Sequence, residues 1–156
     1  MARKILLLTI LLSFIEVVAT AANYYTVSSG NYSSCAQWST CAPNNIPLGD
    51  TVFILHEMTI TSDVKVSGVL IIQAAGRISG NKKLQAESGG RIYNFGGINI
   101  TKEFHIDGEF FNEEYCRIEK MHIDGYMCNG DTVEIDSNES EKNCLTTPGF
   151  SVFNGL

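Results

Sequence analysis

Phe104-His105-Ile106-Asp107-Gly108 returns seventeen residues later as Met121-His122-Ile123-Asp124-Gly125. The match runs on, with Phe110, Phe111 and Asn112 answered by Met127, Cys128 and Asn129. A self-similar unit this short, in a glycine-punctuated chain of β-formers, predicts stacked repeats. A fainter echo extends it in both directions. Gly76-Arg77-Ile78-Ser79, Gly90-Arg91-Ile92-Tyr93-Asn94, Gly108-Glu109-Phe110-Phe111-Asn112 and Gly125-Tyr126-Met127-Cys128-Asn129 align, with their glycines 14, 18 and 17 residues apart.

Between these units lie short β-prone runs such as Thr51-Val52-Phe53-Ile54, Met58-Thr59-Ile60 and Val69-Leu70-Ile71-Ile72. No window holds an apolar face at helical spacing over a helical length, so almost no helix is expected. The repeat is too short for propeller blades or for leucine-rich units. It suits a narrow solenoid whose corners are glycine, a residue free to take positive φ. The predicted fold is all-β: a small, single-stranded parallel β-solenoid of about five rungs with an aromatic N-terminal cap. The alternative is an antiparallel β-sandwich, with Asp107-Gly108 and Asp124-Gly125 as hairpin turns.

Met1-Ala2-Arg3-Lys4, the apolar run from Ile5 to Ile15 and the small residues Ala19-Thr20-Ala21-Ala22 read as a secretory signal over residues 1–22. The apolar core is shorter than the ~20 residues that span a bilayer, and it ends at Glu16. Its removal would leave 134 residues and take the formal charge from −6 to −7. One domain with one modest core fits that length. Residues 23–50 read as a loop-rich cap segment, 51–136 as the solenoid, and 137–156 as a C-terminal tail or capping strand. An acidic chain without a basic cluster predicts no nucleic-acid partner and no attraction to anionic membrane surfaces, and no later run is long and apolar enough for membrane insertion after signal cleavage. The expected location is secreted, or extracellular.

Cys35, Cys41, Cys116, Cys128 and Cys144 all follow the signal, and an oxidising compartment favours pairing. Cys35 and Cys41 flank Trp38 and form the first candidate for a bridged loop. Two of the other three can pair, leaving one over, and spacing does not choose among them.

From Trp38 through Asn45-Ile46-Pro47-Leu48-Gly49-Asp50-Thr51-Val52-Phe53-Ile54 and Gly68-Val69-Leu70-Ile71-Ile72, the chain resembles secreted bacterial β-solenoid domains. Those open with a tryptophan, a proline-glycine-aspartate turn and apolar strands. The eight-glycine extracellular domains of some animal cell-surface proteins, small right-handed β-helices, look alike over the same stretch. The resemblance spans residues 38–112 and implies extracellular display, adhesion or glycan association. The chain departs from it in its extra cysteines and in ending soon after the last rung.

Strand alternation turns Phe104, Ile106, Met121 and Ile123 inward, and His105, Asp107, His122 and Asp124 outward. Phe110, Phe111, Ile118 and Met127 are expected in the same buried stack. In register, the two histidines would lie ~4.8 Å apart, as would the two aspartates. Two imidazoles and two carboxylates on one face are able to hold zinc, but a solvated polar ladder is the expected state, so no metal and no cofactor are assigned. Tyr24, Tyr25, Tyr32 and Trp38 form either a sugar platform or, as favoured here, a cover for the open end of the solenoid. Trp38 and Tyr32 are thus candidate ligand contacts beside the histidine–aspartate group. Asn31-Tyr32-Ser33, Asn99-Ile100-Thr101 and Asn138-Glu139-Ser140 are glycosylation sequons of little diagnostic weight.

No nucleophile elbow, zinc-protease helix or phosphate-cradling loop is written in the chain. The function expected is a non-catalytic binding or structural module with an extracellular glycan or surface protein as partner. A small polysaccharide-active enzyme is the contrasting class.

Overall fold

The computed structural model describes residues 20–138 and 152–154. Sixteen strands build it: β1 Asn23–Tyr25, β2 Gly30–Asn31, β3 Asn45–Ile46, β4 Thr51–Ile54, β5 Glu57–Ile60, β6 Val64–Val66, β7 Val69–Ile72, β8 Arg77–Gly80, β9 Leu84–Ala86, β10 Arg91–Asn94, β11 Gly97–Ile106, β12 Glu109–Asn112, β13 Cys116–Ile123, β14 Tyr126–Asn129, β15 Val133–Asn138 and β16 Val152–Asn154. The one helical element among the described residues is a single 3-10 turn at Cys35–Gln37.

The strands wind into a parallel β-solenoid of about five turns. One sheet runs β1-β4-β7-β10-β12-β14, and a second runs β2-β5-β8-β11-β13-β15-β16. The short strands β3, β6 and β9 continue the second sheet beside β11. Among the described residues every pairing between named strands is parallel, and the one antiparallel contact is the isolated bridge Thr26↔Trp38. The sandwich alternative is therefore excluded. Asp107-Gly108 and Asp124-Gly125 are solenoid corners, whose amides donate to Ala86 O and Ile106 O of the turn before.

The core follows from alternation along each strand. Val52, Leu70, Ile92, Phe110 and Met127 stack as one buried inward column, and Met58, Ile78, Ile98, Cys116 and Val133 as another. The column beside the first changes character partway. Ile54 and Ile72 give way to Asn94, Asn112 and Asn129, all buried. Each asparagine donates its side-chain amide to the next, at 2.7 Å for both steps, so the buried polar groups are paired along the stack.

Two expectations change here. Phe111 is not in the buried stack: it points out of the first sheet and stacks on Tyr93 at 4.9 Å. Ile123 is only partly buried. The corner glycines also have a different cause from the one expected. Positive φ occurs at Gly30, Gly49, Gly80 and Gly89, none of them a corner of the repeat. At Gly76, Gly90, Gly108 and Gly125 a Cβ would instead collide with a backbone carbonyl of the preceding turn (Ile54, Val66, Gly90 and Gly108 respectively). Glycine is needed there because successive turns approach too closely for any side chain.

Residues 23–50, expected as a loop-rich cap, also supply β1, β2 and β3, a first partial turn in register with β4, β5 and β6. At the other end β16 pairs with β15. Residues 1–19 of the expected signal and Cys144 lie outside the described residues, whereas Ala22, expected at its end, pairs with the Asp50–Thr51 turn. No helix among the described residues is long and apolar enough to cross a membrane.

Candidate functional site

The long strands β11 and β13 pair in register, His105 opposite His122, with a bulge between Ile100 and Glu103. The two imidazole rings stand edge to face with centroids 4.4 Å apart. The next residues outward on the same strands bring up carboxylates at the corners. His122 Nε2 lies 2.8 Å from Asp124 Oδ2, and His105 Nε2 lies 3.6 Å from that same oxygen. Asp107 Oδ1 is 3.0 Å from His105 Nε2. The four residues singled out from the repeat are therefore brought together, and the direct repeat was the signal that found them.

Burial is uneven across this group. His105 Nε2 is shut off from solvent and makes no aligned hydrogen bond, although two carboxylates face it. Its other nitrogen, Nδ1, is 3.0 Å from Lys83 Nζ and 3.4 Å from Glu103 Oε1. Lys83 and Glu103 themselves pair at 2.7 Å, and that hydrogen bond holds the Glu103 carboxyl below its usual range. Asp124 is likewise held low, chiefly by the hydrogen bond from His122 and further by His105. Gln85 Nε2 donates to Asp107 Oδ2 at 2.9 Å and fixes that carboxylate from behind. Among the described residues, His105, His122 and Asp124 form a group whose ligand atoms lie within 4.8 Å of one another.

Tyr32 and Trp38 are elsewhere and serve otherwise. Both are buried, their rings packed edge to face at 5.0 Å. Trp38 Nε1 donates to Tyr32 O at 2.8 Å, and the Tyr32 hydroxyl, whose pKa burial pushes up, donates to Pro43 O. Buried in this way, neither ring offers a face to a ligand. The Cys35–Cys41 disulfide closes the loop that carries Trp38, as the spacing suggested. Cys116 and Cys128 are free thiols, and Cys116 is buried in the core, where desolvation pushes its pKa up.

A second site was not found from sequence. Over the first half of the second sheet lies a groove of about 400 Å³, lined by Glu57, Thr59, Arg77, Ser79, Asn99 and Tyr115 among others. Thr59, Ser79 and Asn99 are stacked partners, so their side chains form a polar column along its floor. In the adjoining outward column Gly97 stands beside Arg77, leaving a notch that Tyr115 closes on the far side. A Cβ at Gly97 would lie 3.2 Å from Arg77 Nη1, so any larger side chain there would press on the arginine. The Tyr115 hydroxyl donates to Glu134 at 2.6 Å, which fixes the ring at the groove edge. The residues come from strands spread over the chain, and only register joins them, which is why no local motif announces the groove.

Compared with known proteins, the sequence matches no family model, no curated sequence and no solved structure.

Proposed function

We propose that this chain is a secreted, non-catalytic β-solenoid module that binds an extracellular glycan in the groove of its second sheet. The observation that carries the reading is the notch at Gly97, walled by Arg77 and Tyr115 over the Thr59–Ser79–Asn99 floor. Hydroxyl, amide and charged groups meet the hydroxyls of a sugar, and a fixed aromatic ring packs against its apolar face. Rungs repeat at ~4.8 Å, so the groove presents polar groups at regular steps to a linear polymer. The Cys35–Cys41 disulfide supports an oxidising compartment. The likeness to bacterial surface solenoids and to eight-glycine extracellular domains points the same way, toward display at a cell or matrix surface.

A second reading, adhesion to a surface protein, is favoured by the other face. Tyr25 stacks on Phe53 at 4.7 Å and Tyr93 on Phe111 at 4.9 Å, along the outside of the first sheet. Stacked in this way the rings cover one another's faces and present their edges, which suits a protein surface better than a sugar ring.

The test is a glycan array followed by calorimetry on the hits, using protein made without N-glycans because Asn99 of the groove floor sits in a sequon. Expected are saturable binding without bond cleavage and about a tenfold loss in Tyr115→Ala. Release of new reducing ends would make the chain an enzyme, and binding untouched by Tyr115→Ala would remove the groove from the reading.

A further inference from the structure

The histidine–aspartate corner lies about 20 Å along the second sheet from the groove floor, six residues on from Asn99 in β11. We propose that His105, His122 and Asp124 form a binding site for a first-row transition cation of the zinc type, with Asp107 as a further oxygen donor. The inference stands apart from the glycan reading and uses no residue of the groove.

Three features point to a cation. The Nε2 atoms of both imidazoles converge on one carboxylate oxygen, Asp124 Oδ2, at 2.8 and 3.6 Å. Zinc holds nitrogen at ~2.0–2.1 Å and carboxylate oxygen at ~2.0–2.2 Å in a tetrahedral set, so its ligand atoms stand ~3.3 Å from one another. The two spacings to Asp124 Oδ2 bracket that value, and the three-residue set, within 4.8 Å overall, would draw together by a rotation of the exposed Asp124 and half-buried His122 side chains. His105 Nε2 is buried without an aligned hydrogen bond, a costly state for a polar nitrogen that a bound cation would relieve. The donors are also fixed from behind: β11 and β13 hold the histidines in register, and Gln85 anchors Asp107. Outer-shell support of this sort orients ligands before the ion arrives.

The proton inventory closes. Lysine only donates, so a neutral His105 ring that accepts from Lys83 at Nδ1 carries its proton on Nε2. On binding, that proton moves to Nδ1, the Lys83–Nδ1 hydrogen bond breaks, and Glu103 Oε1, now 3.4 Å away, accepts a hydrogen bond from Nδ1–H while Lys83 keeps its pair with Glu103. His122 makes the same tautomer change as its hydrogen bond to Asp124 is replaced by coordination. Each imidazole coordinates through Nε2 with one proton left on Nδ1, and Asp124 is held as an anion by its histidine partners. Imidazole with carboxylate selects zinc and its neighbours over calcium, which needs six to eight oxygens.

The experiment is equilibrium dialysis and calorimetry of Zn²⁺ with the full, untagged chain, with NMR of the histidine ring protons. Expected are one saturable equivalent with a dissociation constant on the order of micromolar, and joint shifts of the His105 and His122 resonances. Asp124→Asn and His105→Gln should each weaken binding about tenfold or more, while His56→Gln, at a site remote from the cluster, should change nothing. Asp124 is exposed, so its variant keeps the test open should His105→Gln fold poorly. Absence of a saturable equivalent, shifts that spare either histidine, a loss equal in His56→Gln, or ready displacement by Ca²⁺ would each overturn the site.

Discussion

The two sheets share one backbone plan and carry opposite chemistry on their outer faces. Along the first sheet the outward column reads Tyr25, Phe53, Ile71, Tyr93, Phe111 and Cys128. Along the second it reads Asn31, Thr59, Ser79, Asn99, Arg117 and Glu134. Both columns rest on parallel ladders in continuous register, so the fold does not require either composition. What it requires is inward: the apolar columns, and glycine where turns approach too closely. The outer columns are free to differ, and their difference separates a greasy ridge from a polar trough. Function is therefore sought in the residues that register brings into line on the outside.

The sharpest break in that comparison runs through two neighbouring phenylalanines. Phe110 is fully buried, and its ring packs edge to face on Phe104 at 4.7 Å. Phe110→Ala should cost about 3–5 kcal/mol in urea melts by lost transfer and a residual cavity. Phe111 points outward into the aromatic row, where its ring contacts are worth only about 1 kcal/mol. Phe111→Ala should therefore be several-fold milder. Equal costs would mean that the outer row is as much a part of the core as the inner one.

The asparagine stack sets a second contrast, this time within the interior. Replacing Asn112 by Ala removes the middle of the Asn94–Asn112–Asn129 chain and strands a donor on Asn94 and an acceptor on Asn129. Each orphaned group costs about 1–3 kcal/mol when buried. Asn94 also reaches the Glu114 and Tyr115 carbonyls at 3.5 and 3.4 Å, so relief on its side would place the total near 2–4 kcal/mol. Urea melts on Asn112→Ala beside the exposed Asn99→Ala would separate the two asparagine environments. Similar small losses in both would show that the buried stack is no stronger than a solvated one.

The sequence carried the inward half of this molecule well and the outward half only in part. The direct repeat of His105 to Gly108 at His122 to Gly125 predicted parallel stacking and the pairing of His105 with His122, because repetition encodes register. It misplaced Phe111, since Phe110-Phe111 is apolar at both positions and alternation cannot say which one faces in. Asn94, Asn112 and Asn129 were visible as aligned letters, yet asparagine before a turn reads as solvated, and only the stack reveals that each satisfies its neighbour. The groove was illegible for a different reason: Arg77, Asn99 and Tyr115 are unremarkable alone, and their meeting depends on the 20-odd residues between turns. Tyr32 and Trp38 read more readily as cap than as platform, and both are buried.

Alkaline pH gives a further test of the inner face. Burial raises the Cys116 thiol, so the folded chain keeps that proton at a pH where the unfolded chain, titrating near 8.5, has lost it. The unfolded state then binds fewer protons, and stability falls as pH rises. The contribution is fully present below pH ~8.5 and should have lost about 2 kcal/mol by pH 10. Tyr32, also buried and raised, adds a smaller loss that begins near pH 10. Urea melts at pH 7 and pH 10 should show this fall in the parent chain and most of it gone in Cys116→Val. A parent chain as stable at pH 10 as at pH 7 would contradict the burial of the thiol.

The smallest expected effect belongs to the floor of the groove, and it bears most directly on function. Ser79 is an outward residue of β8 between Thr59 and Asn99, with its backbone already held in the ladder and none of the core resting on its hydroxyl. Ser79→Ala should therefore stay within about 0.5 kcal/mol of the parent in stability. The same change deletes one polar group from the column that a bound saccharide would meet, and one neutral hydrogen bond is worth about 1 kcal/mol, roughly fivefold in affinity. Paired melting and glycan-binding measurements on this variant ask whether the outer column is separable from the fold. Reduced binding at unchanged stability would support the groove as a site, whereas a stability loss like that of Phe110→Ala would place Ser79 with the inner columns instead.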